Sequence, residues 1–190
     1  MILLTTSSIV SAAVIHRDLG HANGFDIKAN GETVSVYAPE TKSTRVFLTH
    51  HRRDLYSNLS NRIVAPSAER SHFEKTREYW TGMATKRFHY YTQQSTKILV
   101  EPVIVNSWVK EGDVIEWEGI RFEVIDTPGF TRGSVSYLST IDGRRVAFTG
   151  DLIYSDGKIF DLYSFQDAIP EARVGGYHGY AARLSDLVSS

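Results

Sequence analysis

Thr49-His50-His51-Arg52-Arg53-Asp54-Leu55 is the stretch on which the reading of this chain turns. It follows Val46-Phe47-Leu48, an apolar run with the length of a short buried strand. The strand opens into a loop that carries imidazole, guanidinium and carboxylate groups in quick succession. Such groups bind metal ions, pair with one another or move protons.

The rest of the composition narrows what that loop can do. A chain of 190 residues is expected to fold as a single domain, 1–190, with room for a substantial core. Its 42% hydrophobic and 23% charged residues place it with ordinary globular proteins rather than disordered ones. A net charge of −1 supplies no electrostatic reason to expect nucleic acid or an anionic membrane as a partner. With no cysteine, disulfides, thiolate metal sites and a cysteine nucleophile are excluded, so any transition-metal site must draw on the seven histidines and the carboxylates. The apolar N-terminus, Met1 to Ile15, has no basic residues ahead of it and reads as strand rather than as a secretory leader. No run reaches the roughly 20 apolar residues of a membrane span, and a cytoplasmic protein is expected.

Short β-prone runs lie at Ile9–Ile15, Phe25–Ile27 and Thr33–Tyr37, separated by Gly20, Asn23-Gly24 and Asn30-Gly31, the Asn-Gly pairs being turn signals. Ile63–Pro66 is a further strand. Ser67 is placed to cap a helix over 68–82, with Phe73, Thr76, Tyr79-Trp80 and Met83 at helical spacing. A second helical or irregular piece covers Thr85–Gln94. Strands then resume at Ile98–Val100, Val103–Val105, Val114–Trp117, Arg121–Ile125, Ser134–Leu138 and Arg145–Phe148. Gly112-Asp113, Glu118-Gly119 and Asp142-Gly143 are the hairpin turns between them. An amphipathic helix is expected over 181–188. His16, His21, His72 and His89 lack ligand spacing and read as packing or surface residues.

Three motifs carry a resemblance to a known family. A strand opening into His-x-His-x-Asp-His is the signature of the metallo-β-lactamase fold, which residues 50–55 resemble. Asp126-Thr127-Pro128-Gly129-Phe130-Thr131-Arg132-Gly133-Ser134 is similar to the family's Thr-Pro-Gly-His-Thr-x-Gly-Ser. Phe148-Thr149-Gly150-Asp151-Leu152-Ile153-Tyr154 resembles its third signature, which holds the carboxylate that bridges two metals. The resemblance implies an α/β (α+β sandwich) fold of two β-sheets with helices on the outer faces. The chain stops 39 residues after Asp151, early for this fold, so the second sheet is expected to be incomplete at the C-terminus. An open sheet edge of that kind favours a homo-oligomer.

The family's chemistry is metal-dependent hydrolysis by a water held at zinc. Here Arg52, Leu55 and Phe130 stand where three histidine ligands would be. His50, Asp54 and Asp151 remain as candidate metal ligands, with Asp54 the candidate catalytic residue that orients or deprotonates water. His178, before Gly179, is the only candidate for the last ligand, and Asp26 is a weak match to a supporting aspartate. The expectation is one weakly held zinc ion or none. The hydrolase would act on a small-molecule ester, thioester, amide or phosphodiester, and be impaired or inactive as sequenced. The alternative is a non-catalytic domain that keeps the fold to bind a ligand or partner. Arg52 carries a permanent positive charge at a cation's position, and is expected to neutralise Asp54 and Asp151 in the ion's place.

Overall fold

The computed structural model describes residues 11–18, 23–37, 43–52, 62–78, 102–128, 131–154 and 158–159. Two sheets make up the body of the fold. The first has six strands in the order β1 (Ala12–Asp18), β2 (Asn23–Ala29), β3 (Glu32–Val36), β4 (Arg45–Phe47), β5 (Arg62–Pro66) and β6 (Ser107–Val109). Its first three strands are an antiparallel meander, whereas β3 to β6 run parallel. The second sheet is antiparallel, in the order β10 (Arg144–Phe148), β9 (Val135–Ile141), β8 (Ile120–Asp126) and β7 (Val114–Trp117). A small pair, β11 (Ile153–Tyr154) with β12 (Lys158–Ile159), follows.

The apolar runs at 46–48 and 63–65 are continuous because β4 and β5 are covered on both faces, as interior parallel strands are. Phe47 and Val64 point into the space between the sheets, with Ile27, Val36, Phe122, Val124, Tyr137 and Phe148. Val46, Leu48, Ile63 and Ala65 face the other way, onto Phe73 and Val103. Burying both faces makes these short strands the rigid centre from which the loops at their C-terminal ends project. Tyr137 ties the two sheets together there by donating from its hydroxyl to the Leu48 carbonyl at 2.8 Å, and its burial holds that hydroxyl's pKa well above the usual value.

Three of the Gly-containing turns hold as hairpins, whereas Gly112-Asp113 is not one, because it joins β6 of the first sheet to β7 of the second. Asn30-Gly31, Glu118-Gly119 and Asp142-Gly143 all have both residues at positive φ, the two-residue turn whose twist matches antiparallel strands. Three further sequence expectations are corrected. Asn23 and Gly24 are not a turn but the first rungs of β2, opposite Asp18 and Arg17. The helix expected over 68–82 begins as a 3-10 turn (Ser67–Glu69) running into α1 (Arg70–Glu74), is interrupted at Lys75, whose φ is −116°, and is helical again over 76–78, with 79–82 outside the described residues. Ser67 makes no side-chain cap, because Pro66 holds the capping position and has no hydroxyl to offer. Residues 103–105 are not a strand, and β6 lies at 107–109. The Val103 N–H is drawn to the Phe73 carbonyl, and Asn106 spends its side-chain oxygen on the Ile63 N–H. The expectations for 85–94, 98–100 and 181–188 lie outside the described residues. No helix among the described residues is long and apolar enough to cross a membrane.

Candidate metal centre

Asp151 is where the first and third motifs meet. It sits in a 3-10 turn (Gly150–Leu152) after β10, its side chain 7% exposed. One of its oxygens, Oδ2, accepts from Arg52 Nη1 at 2.7 Å and from the Tyr37 hydroxyl at 2.5 Å. Arg52 Nη1 also donates to the Tyr37 oxygen at 2.8 Å, closing a triangle of guanidinium, phenol and carboxylate. His50 Nε2 lies 3.4 Å from the same Oδ2, long for a hydrogen bond, while its Nδ1 lies 3.1 Å from Thr49 Oγ1. Burial alone would raise the Asp151 pKa. The contact and charge of His50, then Arg52 and the Tyr37 hydroxyl, outweigh it and hold the carboxyl below its usual value.

Backbone geometry forces this convergence. Gly150 has φ +56°, and a Cβ there would stand 2.2 Å from Thr49 Oγ1, so the third motif can approach the first only through glycine. The second motif is bound to the first by the Val135 N–H, which donates to the Thr49 carbonyl at 2.8 Å. Beneath the loops lies Glu69, fully buried. One oxygen accepts from the His51 N–H at 2.7 Å and the other from the Gly133 N–H at 3.2 Å. His72 Nδ1 stands 3.3 Å from the first. Burial opposes ionisation of Glu69. The bond and charge of His72, the charge of His50 and the Thr131 hydroxyl overcome it and bring its pKa down to about 2. His51 itself packs edge-on against Phe73, with ring centroids 4.9 Å apart.

Of the residues singled out in the sequence, His50, Arg52 and Asp151 come together. Asp54, Leu55, Phe130 and His178 lie outside the described residues. Asp26 is not at this site: it pairs with Arg17 at 2.8 Å and accepts from the Ser35 hydroxyl at 2.7 Å. His16 contacts the Asn23 side chain at an exposed position. Tyr37 and Glu69 were not read as site residues. Tyr37 reaches Asp151 because it turns out of β3 at φ +69°, a conformation its residue type does not advertise.

Zinc takes at least three protein ligands even in an open site, and the described residues contain no cluster of three or more potential ligands. Asp151 Oδ2 has about two lone pairs and both are engaged, one by a cation. Among the described residues, this arrangement does not fit a metal ion at Oδ2.

A profile of the metallo-β-lactamase superfamily matches residues 53–183, well over half of the chain. The chain belongs to the metallo-β-lactamase superfamily. Among relatives, it is 28% identical over 112 residues to a hydroxyacylglutathione hydrolase from Aeromonas hydrophila, covering 59% of this chain and 34% of that one. It is 35% identical over 89 residues to the acyl-coenzyme A thioesterase MBLAC2 from Bos taurus, covering 47% of this chain and 28% of that one. The chain thus spans about a third of the length of these curated relatives. A solved metallo-β-lactamase from Cronobacter sakazakii, described by its HARLDQ motif, superposes with a TM-score of 0.61 at 12% identity. That match covers 95% of this chain and 74% of the other, and it shows the metallo-β-lactamase fold across both sheets.

Proposed function

We propose that this protein is a hydrolase-like member of the superfamily in which the Arg52 guanidinium replaces metal charge, so that metal-dependent hydrolysis is impaired. The observation that carries this reading is the triangle of Arg52, Tyr37 and Asp151, with Arg52 Nη1 2.7 Å from the carboxylate that a bridging metal would use. The guanidinium is permanently charged and satisfies the carboxylate without an ion. The motif named for the Cronobacter metallo-β-lactamase, His-Ala-Arg-Leu-Asp-Gln, has His, Arg and Asp at the spacing of His50, Arg52 and Asp54.

The substrate class we assign is a small-molecule thioester or ester, following the names of the hydroxyacylglutathione hydrolase and acyl-coenzyme A thioesterase relatives. Asp54 is the carboxylate we assign to water in whatever hydrolysis persists, and His50, Asp54 and Asp151 are the set that would take one zinc ion if Arg52 were withdrawn. A single domain over 1–190, self-association and a cytoplasmic location belong to the same reading. The closed triangle also favours a second reading, a non-catalytic domain that binds a ligand without turning it over.

Elemental analysis of protein purified without chelator, beside a thioester hydrolysis assay with acyl-coenzyme A and hydroxyacylglutathione, tests the proposal. The expected result is well under one zinc per chain and slow or absent turnover. One or two tightly held zinc ions together with rapid turnover would overturn it. Saturable binding of either thioester without hydrolysis would select the second reading.

A further inference from the structure

A second group of cations lies at the other end of the parallel strands. Arg45 opens β4 and Arg62 opens β5, and the parallel register places them directly opposite each other. Neighbouring strands are about 4.8 Å apart, so two like charges start side by side, an arrangement that destabilises a sheet. Both residues open the inward row at its rim, Arg45 half-buried and Arg62 exposed. Arg45 is two positions before Phe47, and Arg62 two before Val64, and those two side chains belong to the core between the sheets.

The two line a cavity of about 590 Å³, within the range of small-molecule sites. Its other walls include Asn106, Glu116 and the apolar Val109 and Ile115. Asn106 Oδ1 accepts from the Ile63 N–H at 2.7 Å, which fixes the amide and leaves its NH₂ as the donor end. Glu116 is the one acidic group in the lining, and neither arginine is within ion-pair distance of it or of any other described carboxylate. Two guanidinium forks and an amide NH₂ therefore face a half-apolar cavity with no described carboxylate paired to either fork. Five residues of chain separate Arg45 from His50, which at about 3.3 Å per extended residue puts this cavity at the far end from Asp151.

The geometry points to a binding site for an oxyanion, a phosphate or carboxylate group on a small molecule with an apolar portion, held by Arg45, Arg62 and Asn106 between the N-terminal ends of β4 and β5. Guanidinium forks match the paired oxygens of either group, and Val109 and Ile115 would cover the remainder of the ligand. The site is independent of the reading of the Asp151 centre.

Calorimetric titration of the full chain with inorganic phosphate and, separately, with octanoate tests this, in buffers matched in ionic strength with chloride. Binding of either probe above the chloride background is expected, and which one binds tighter identifies the headgroup. Arg45→Gln and Arg62→Gln should each weaken binding by ~10- to 100-fold. Arg121→Gln, a change on β8 beside Glu123, should leave it unaltered. With no anion present, Arg62→Gln should melt at the same or a higher temperature at low salt, because a like charge has gone, which also shows that the variant folds. No binding beyond chloride, or undiminished binding in both arginine variants, would overturn the site.

Discussion

Changing Glu69→Gln should flatten the acid side of the stability curve. Glu69 is fully buried and its pKa falls from the usual 4.5 to about 2. A carboxylate with a lowered folded-state pKa stabilises the fold above its unfolded value, and that contribution is lost as pH falls through the folded value. The window therefore runs from about pH 4.5 down to about pH 2. At about 1.4 kcal/mol per pH unit the whole contribution is on the order of 3 kcal/mol. About 2 kcal/mol of it should already be gone at pH 3. The assay is urea unfolding of the parent and of Glu69→Gln at pH 7, 5, 4 and 3. The variant should be less stable at neutral pH, since an amide oxygen cannot accept from both the His51 and Gly133 N–H groups, and the gap should narrow by about 2 kcal/mol by pH 3. Two curves that stay parallel across this range would refute the idea that an ionised Glu69 clamps the two loops.

Arg52→Met should destabilise the fold by about 2–3 kcal/mol, reduced from the usual cost of an orphaned buried charge because Arg52 is 16% exposed, and adding Asp151→Asn should recover most of it in thermal melts. Gly150→Ala should cost about 2–4 kcal/mol through its positive φ and the clash with Thr49, with Thr49→Ala restoring part of the loss in denaturant titrations. The combination Arg52→His, Leu55→His and Phe130→His should raise zinc affinity by orders of magnitude in calorimetric titration, whereas each single change should do little; a triple variant that binds no tighter than the parent would mean that these positions do not share one site. Strand β1 borders only β2 among the described residues and leaves Val14 and Ile15 partly exposed, so light scattering at micromolar concentration should show a dimer that Val14→Lys disperses.

Local chemistry made much of this fold legible. Asn30-Gly31, Glu118-Gly119 and Asp142-Gly143 announced their hairpins because few other pairs tolerate positive φ twice in succession. The runs at 46–48 and 63–65 read as buried strands because nothing polar interrupts them, and the three motifs placed His50, Arg52 and Asp151 in one region. What escaped was decided by partners distant in sequence. The helix after Pro66 is interrupted at Lys75, a break that its continuous apolar spacing does not announce. Strand β6 starts at Ser107 rather than Val103 because the Phe73 carbonyl and the Ile63 N–H claim that segment first. Tyr37 and Glu69 are 114 and 64 positions from Asp151 and Gly133, the groups they hold, and neither has a local pattern that points to them.

The guanidinium on Asp151 also bears on how this protein matures. A centre that needs an ion depends on what the cell can supply, and the ion can leave again whenever a chelator competes for it. Arg52 arrives with the polypeptide and cannot be diluted away, so its pairing with Asp151 forms as soon as the strands dock. On the reading proposed for Arg52, this region would reach its native state with no loading step and no metal donor, and its folding would be indifferent to swings in zinc supply.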